Sequence, residues 1–256
     1  MKALIFAAGL GTRLRPITDT MPKALVPVNG KPLLGHLIEK LKDNGFTEIV
    51  INIHHFPQQI RDYVAENDNF GIDIKFSDES LALLDTGGGV RKAAPLFSAP
   101  PSPFLLHNVD IMSNADLRRF YESCVSGIVN FHGKTVELGA SLLVSPRDTS
   151  RYLLFDAEGF LVGWENIKTG QVRTPYEKLD LDACRRYAFS GIHVFSPYLL
   201  EYMKTWEDKF SIIDFYLSIC KDVPIRGVFD DNLKLVDVGK FETLSSVEQY
   251  IADNGL

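Results

Sequence analysis

The chain is short of cysteine, and what it has is scattered. Cys124, Cys184 and Cys220 stand far apart with no metal-ligand spacing, which excludes a disulfide scaffold and a zinc ribbon and predicts reduced thiols in a cytoplasmic compartment. It also lacks a basic surplus. With 27 Lys and Arg against 33 Asp and Glu, its net charge of -6 argues against a nucleic-acid partner, so any cations that matter are local to a site. Long apolar runs are missing too. Nothing approaches the ~20 apolar residues of a bilayer span, and the N-terminal apolar stretch runs straight into glycines, so neither a membrane segment nor a signal peptide is expected. No Ser/His/Asp or Cys/His arrangement has supporting context, and the adjacent His54 and His55 would point to opposite sides of a strand. At 256 residues the chain can bury a large core, as one domain or two.

What is present is concentrated in the first segment, Met1 to Lys23. Ala3-Leu4-Ile5-Phe6 suits a buried parallel strand, and Ala7, Ala8, Gly9 and Gly11 let the backbone turn tightly after it. Such a turn aims backbone N–H groups where an anion can collect them, and Arg13, Arg15 and Lys23 add fixed positive charge. Backbone donors with cations match closely spaced phosphate oxygens, so the segment reads as a polyphosphate cradle. It is neither of the two common phosphate motifs. Counting from Gly9, a P-loop fails at Leu14, and the same leucine occupies the third glycine's place in a dinucleotide fingerprint.

The full string, Ala7-Ala8-Gly9-Leu10-Gly11-Thr12-Arg13-Leu14-Arg15-Pro16 with Thr18 and Pro22-Lys23, closely resembles the signature of the sugar-1-phosphate nucleotidyltransferases. The resemblance implies that the loop, with Ala7, Ala8, Gly9, Gly11 and Thr12, wraps an NTP triphosphate. It further implies that Arg13 meets the departing pyrophosphate and Lys23 the α-phosphate.

Downstream, strand and helix patterns alternate. Leu33, Leu34, Leu37, Ile38 and Leu41 recur at helical spacing from Pro32 to the Asn44-Gly45 stop. Glu48–Ile53 reads as a strand, Pro57 to Glu66 as a helix and Ile72 to Ser77 as a strand. This rhythm predicts an α/β fold: a mixed, mostly parallel sheet with helices on both faces, Rossmann-like in the manner of the nucleotide-diphospho-sugar transferases. One nucleotidyltransferase domain is expected over residues 1–256, with an NTP-binding half to about residue 125 and a sugar-phosphate half beyond it. No hexapeptide-repeat β-helix follows in the sequence.

Leu84-Asp85-Thr86-Gly87-Gly88-Gly89 precedes an expected helix through Arg91 to Leu96, and three glycines let another molecule lie on the backbone. This version looks most like the N-acetylmuramic acid 1-phosphate uridylyltransferases, which places Gly87 and Gly88 under the nucleobase and ribose. Asp110 follows the apolar strand Phe104 to Leu106, where open α/β sheets bind ligands, and is a natural magnesium ligand. The family motif there is N-G-D. Here it is Asn108-Val109-Asp110, with Asn108 kept as a substrate contact.

Leu138 to Ser145, Tyr152 to Asp156 and Phe160 to Glu165 are predicted strands, the last two joined by an Ala157-Glu158-Gly159 turn. Glu165 corresponds to the start of the family's E-K-P, but Asn166 replaces the lysine, for which Lys168 or Arg151 are the candidates. Ser190 and Gly191, in a small-Gly-aromatic strand, are expected to line the sugar pocket, whereas His193 reads as structural. Ile225 to Phe229 and Leu233 to Val238 read as a hairpin holding Asp237, the implied second magnesium ligand, and a helix from Lys240 to Asn254 closes the chain.

The resemblance thus implies Mg²⁺-dependent transfer from an NTP to a sugar 1-phosphate, with uridylyl transfer placed ahead of guanylyl. A cytidylyltransferase for phosphocholine-like acceptors and a non-catalytic nucleotide-binding regulator stay open as alternatives. So does the oligomeric state.

Overall fold

The computed structural model describes residues 1–125, 127–240 and 244–254, with the backbone alone at Lys240 and Leu244. Four parallel strands lie in the order Phe104–Asn108, Lys2–Phe6, Glu48–Ile53, Asp73–Asp78. Lys2–Phe6 is flanked on one side by Glu48–Ile53, the next strand of this sheet in sequence, and on the other by a much later one. The strand order therefore reverses between Lys2–Phe6 and Phe104–Asn108, and open sheets place their ligand crevice beyond the carboxyl ends of such a pair. Val109 N–H donates to Phe6 O at 3.1 Å and closes the two ends together.

Side-chain alternation explains why helices cover both faces. Ala3 and Ile5 face one apolar layer with Leu34, Ile38, Ile60 and Leu117, while Leu4 faces the other with Val90, Phe215 and Tyr216. All are fully or almost fully buried, and each large aliphatic contributes about 1.5–3 kcal/mol by leaving water. The expected helices form at Leu33–Asp43 and Pro57–Glu66.

The later half adds antiparallel strands through Arg185–Phe195. Its second half pairs with Phe104–Asn108 and its first half with Arg151–Phe155, while Ala140–Ser145 runs along the opposite side. The change of neighbour falls at Ser190-Gly191, where the register with Ala140–Ser145 shifts and Gly191 has φ +79°. The Arg151–Phe155 and Leu161–Asn166 hairpin forms as expected. The second expected hairpin does not. Ile225–Phe229 joins Ala140–Ser145 in parallel, and Leu235–Asp237 instead pairs antiparallel with Ile111–Ser113. The apolar pattern marks both as strands but carries no information about partners. The closing helix is Leu244–Asn254, preceded by a 3₁₀ turn at Val238–Lys240; residues 241–243 of the expected helix lie outside the described residues.

Candidate active site

A cleft of about 420 Å³ opens at the switch point, bordered by Ala7, Ala8, Gly9, Lys23, Asn108 and Asp110. The glycine loop folds over it in short 3₁₀ turns. Gly11, at φ +63°, allows this because any Cβ there would press on the Lys23 Cβ at 3.0 Å and more closely still on Thr18. Thr18 Oγ1 donates to Gly11 O at 2.8 Å, and the His55 ring bonds to Thr18 O at 3.2 Å, so the loop is tied down from below.

The loop amides divide into two groups. Ala7 and Ala8 donate to Asn52 Oδ1 at 2.6 and 3.1 Å, so these amides are not offered to a ligand as the sequence suggested. Two backbone donors require the Asn52 oxygen, which turns its Nδ2 toward Glu79 Oε1 at 2.9 Å. Glu79 is wholly buried, and its other oxygen accepts from Leu84 N–H at 3.1 Å. Burial pushes its carboxyl above the usual range against these hydrogen bonds. Gly9, Leu10 and Gly11 amides have no acceptor among the described residues. Asn52 and Glu79 have no counterpart among the residues singled out by sequence; the available signal is the polar Asn52 within the apolar run Ile49–Ile53.

Cations and carboxylates meet beside the loop. Lys23, mostly buried, makes a close ion pair with Asp110 Oδ2. Asp110 O accepts from Val238 N–H at 3.0 Å, which brings Leu235–Asp237 alongside. Gly239 then lies where a Cβ would fall 3.3 Å from both Arg13 Nη2 and Asp237 Oδ1, and closer still to Lys23 Nζ. Its missing side chain lets all four charged groups converge. Asp237 Oδ1 also accepts from Gly239 N–H at 3.1 Å. Among the described residues no three His, Cys, Asp or Glu side chains form a metal cage. Two hard carboxylates fit magnesium nevertheless, because that ion is held by one or two carboxylates with water and substrate phosphates, and Asp110 already accepts a cation.

Other predicted residues serve the protein's own packing. Gly87 and Gly88 lie inside the helix Asp85–Ala93, not ahead of it, and what rests on them is the chain itself. A Cβ at Gly88 would overlap the carbonyl oxygen of Asp208, and one at Gly87 the ring of Phe210. Gly87 N–H donates to Phe210 O at 2.8 Å, and Ile212 N–H donates to Thr86 Oγ1 at 2.9 Å. Asp85 and Thr86 take the glycines' expected place at the cleft wall, together with Lys209 from the docked segment.

On the other side, Gly191 abuts Asn108: a Cβ there would sit 2.7 Å from Asn108 Nδ2. Ser190 is buried, its hydroxyl donating to Leu143 O at 2.7 Å, so it shapes the bulge. Glu165 is held by Arg186 Nε at 2.8 Å, away from the cleft lining. Arg151 and Lys168 are exposed and do not line it either. His193 is structural as expected: buried, bonded to the Tyr216 hydroxyl at 3.0 Å, with burial lowering its pKa to about 3.

Fold and cleft together define a class, the open α/β proteins with a glycine-rich loop at the sheet's switch point. Within that class the chain belongs to the nucleotidyl transferase family, whose profile matches residues 2–254. It is similar to an N-acetylmuramate alpha-1-phosphate uridylyltransferase from Neisseria meningitidis serogroup B, 43% identical over 126 residues, 49% of this chain and 54% of that protein. It is also similar to a UTP--glucose-1-phosphate uridylyltransferase from Synechocystis sp., 29% identical over 94% of this chain and 60% of that protein. The matches thus span about half to three fifths of these relatives' length. A crystal structure of a putative glucose-1-phosphate thymidylyltransferase from Bacillus anthracis shares the fold, with TM-score 0.76, 18% identity and coverage of 99% and 96% of the two chains. Among the described residues no helix is long and apolar enough to cross a membrane.

Proposed function

We propose that this protein transfers a nucleotidyl group from an NTP, UTP foremost, to a sugar 1-phosphate, releasing pyrophosphate. The convergence of Arg13, Lys23, Asp110 and Asp237 beside the glycine loop carries the reading. Few other ligands need loop amides, two cations and two carboxylates within one crevice. The names of the two uridylyltransferase relatives support UTP as donor and a sugar 1-phosphate as acceptor. In this reading residues to about 125 hold the donor and the remainder the acceptor, in a cytoplasmic enzyme.

The chemistry is an in-line displacement. A phosphate oxygen of the acceptor bonds to the α-phosphorus while the bond from that phosphorus to the β-phosphate's bridging oxygen breaks, and pyrophosphate departs with the electron pair. No covalent enzyme intermediate is required, so positioning and charge neutralisation lower the barrier. The free Gly9–Gly11 amides receive the triphosphate, Lys23 leaves Asp110 for the α-phosphate, and Arg13 neutralises the pyrophosphate. Asp110 and Asp237 would hold Mg²⁺, which supplies charge neutralisation on the phosphates.

Pyrophosphate release measured with four NTPs crossed with several sugar 1-phosphates and phosphocholine tests the proposal. Turnover with UTP and a sugar 1-phosphate is expected. Nucleotide binding without turnover on any acceptor would establish the regulator instead, and CTP with phosphocholine the cytidylyl reading.

A further inference from the structure

We infer that Arg147 receives the phosphate of the acceptor, an inference resting on the transferase reading above. Arg147 lies two residues beyond the strand Ala140–Ser145, beside the Ser190-Gly191 bulge. Its Nη2 donates to Phe189 O at 2.8 Å, while its Nε is buried and has no partner. Two residues back, Ser145 is 1% exposed and its hydroxyl also lacks a partner. A buried donor left unsatisfied is costly, so two of them at one strand end call for a ligand that satisfies them.

The surroundings say what kind of ligand. Burial is the main influence on the guanidinium, and Asp237 is the foremost charged group acting on it, ahead of Tyr152 and Tyr250. Gly191, two residues on from Phe189, leaves no room for a Cβ against Asn108 at the cleft border. Arg147 therefore joins Asp237 electrostatically and the Phe189–Gly191 bulge by its hydrogen bond, and keeps an open Nε–H. A guanidinium edge with a free N–H matches a phosphate monoester. The nearest rival, Arg173, also has a buried unpartnered Nε, but its Nη1 is paired with Asp214 and its plane lies over Trp164 at 4.2 Å. That arginine is already spoken for by structure.

The acceptor phosphate is then on Arg147 and the triphosphate on Arg13 and Lys23. Two phosphates of like charge are then held by separate cations.

Steady-state pyrophosphate release with Arg147→Ala, Arg147→Lys and Arg147→Gln decides the matter, each variant checked for an unchanged Tm. Arg147→Ala and Arg147→Gln should raise KM for the sugar 1-phosphate by about 10–100-fold and leave KM for the NTP within about twofold, as expected for loss of a charged hydrogen bond. Arg147→Lys should recover part of the loss, which a merely structural role would not produce. Wild-type turnover with an unchanged acceptor KM in all three variants overturns the assignment while the transferase reading stands. A wild-type protein that turns over no NTP and acceptor pair overturns both.

Discussion

The side-chain oxygen of Asn52 accepts hydrogen bonds from the backbone N–H groups of both Ala7 and Ala8, and its amide nitrogen donates to buried Glu79. The glycine loop is thus held from the neighbouring strand before any ligand arrives. Asn52→Ala should cost about 1–3 kcal/mol in stability, since two buried amides lose their acceptor, and should weaken NTP binding because the loop's entry is no longer held. Urea unfolding and nucleotide titration measure the two effects, and a variant with wild-type values in both would remove Asn52 from this role.

The glycines separate by what surrounds them. Gly88 has no room for a Cβ against Asp208, whereas Gly9 has nothing within 4 Å. Gly88→Ala should lose about 1–3 kcal/mol or more through overpacking against backbone that cannot move aside. Gly9→Ala should keep wild-type stability and lose nucleotide affinity, because its methyl would occupy ligand space. Thermal unfolding of both variants tests the contrast, and equal Tm values would defeat it.

Asp110 and Asp237 answer to different neighbours, Asp110 to Lys23 and Asp237 to the Gly239 amide. Asp110→Asn and Asp237→Asn should each lower the rate of pyrophosphate release by about 10²-fold or more at saturating NTP and Mg²⁺. Full activity in either variant would end its assignment as a metal ligand.

Stability should depend on pH through two buried histidines. Burial lowers the His107 pKa to about 4 and the His193 pKa to about 3, each below the ordinary value of 6.5. His107 feels Lys40 and Asp110 as well, and His193 feels His107. Because the unfolded chain binds protons that the folded one refuses, their contribution is complete above about pH 6.5 and is lost as pH falls toward the folded pKa values. The urea midpoint should therefore drop between pH 7.5 and 4.5, less steeply in His107→Gln. Identical slopes in wild type and variant would exclude His107 as a source.

Much of the fold was legible because local pattern carries it. Alternation in Ala3-Leu4-Ile5 and helical spacing from Leu33 to Leu41 state directly which sides meet apolar layers. Pairing is less local. Leu235–Asp237 looks like the second arm of a hairpin, yet its partner is Ile111–Ser113, more than a hundred residues away in the chain. Lys209 and Arg147 were overlooked because single cations in loops carry no periodicity, and their neighbours come from elsewhere in the chain.

By itself the sequence determined the alternating α/β order, because residue type and spacing along one chain specify it, while resemblance to the sugar-1-phosphate nucleotidyltransferases singled out the glycine loop with Arg13 and Lys23 and the two aspartates. Tertiary structure alone decided that Asn52 takes the Ala7 and Ala8 amides, that Gly87 and Gly88 carry the Asp208–Phe210 backbone, and that Arg147 stands near Asp237 with its Nε unpaired. The physical reason is range. Strand and helix formation follow from torsions and burial within a few residues, while hydrogen-bond partners and close backbone approach depend on which distant segments the folded sheet brings together.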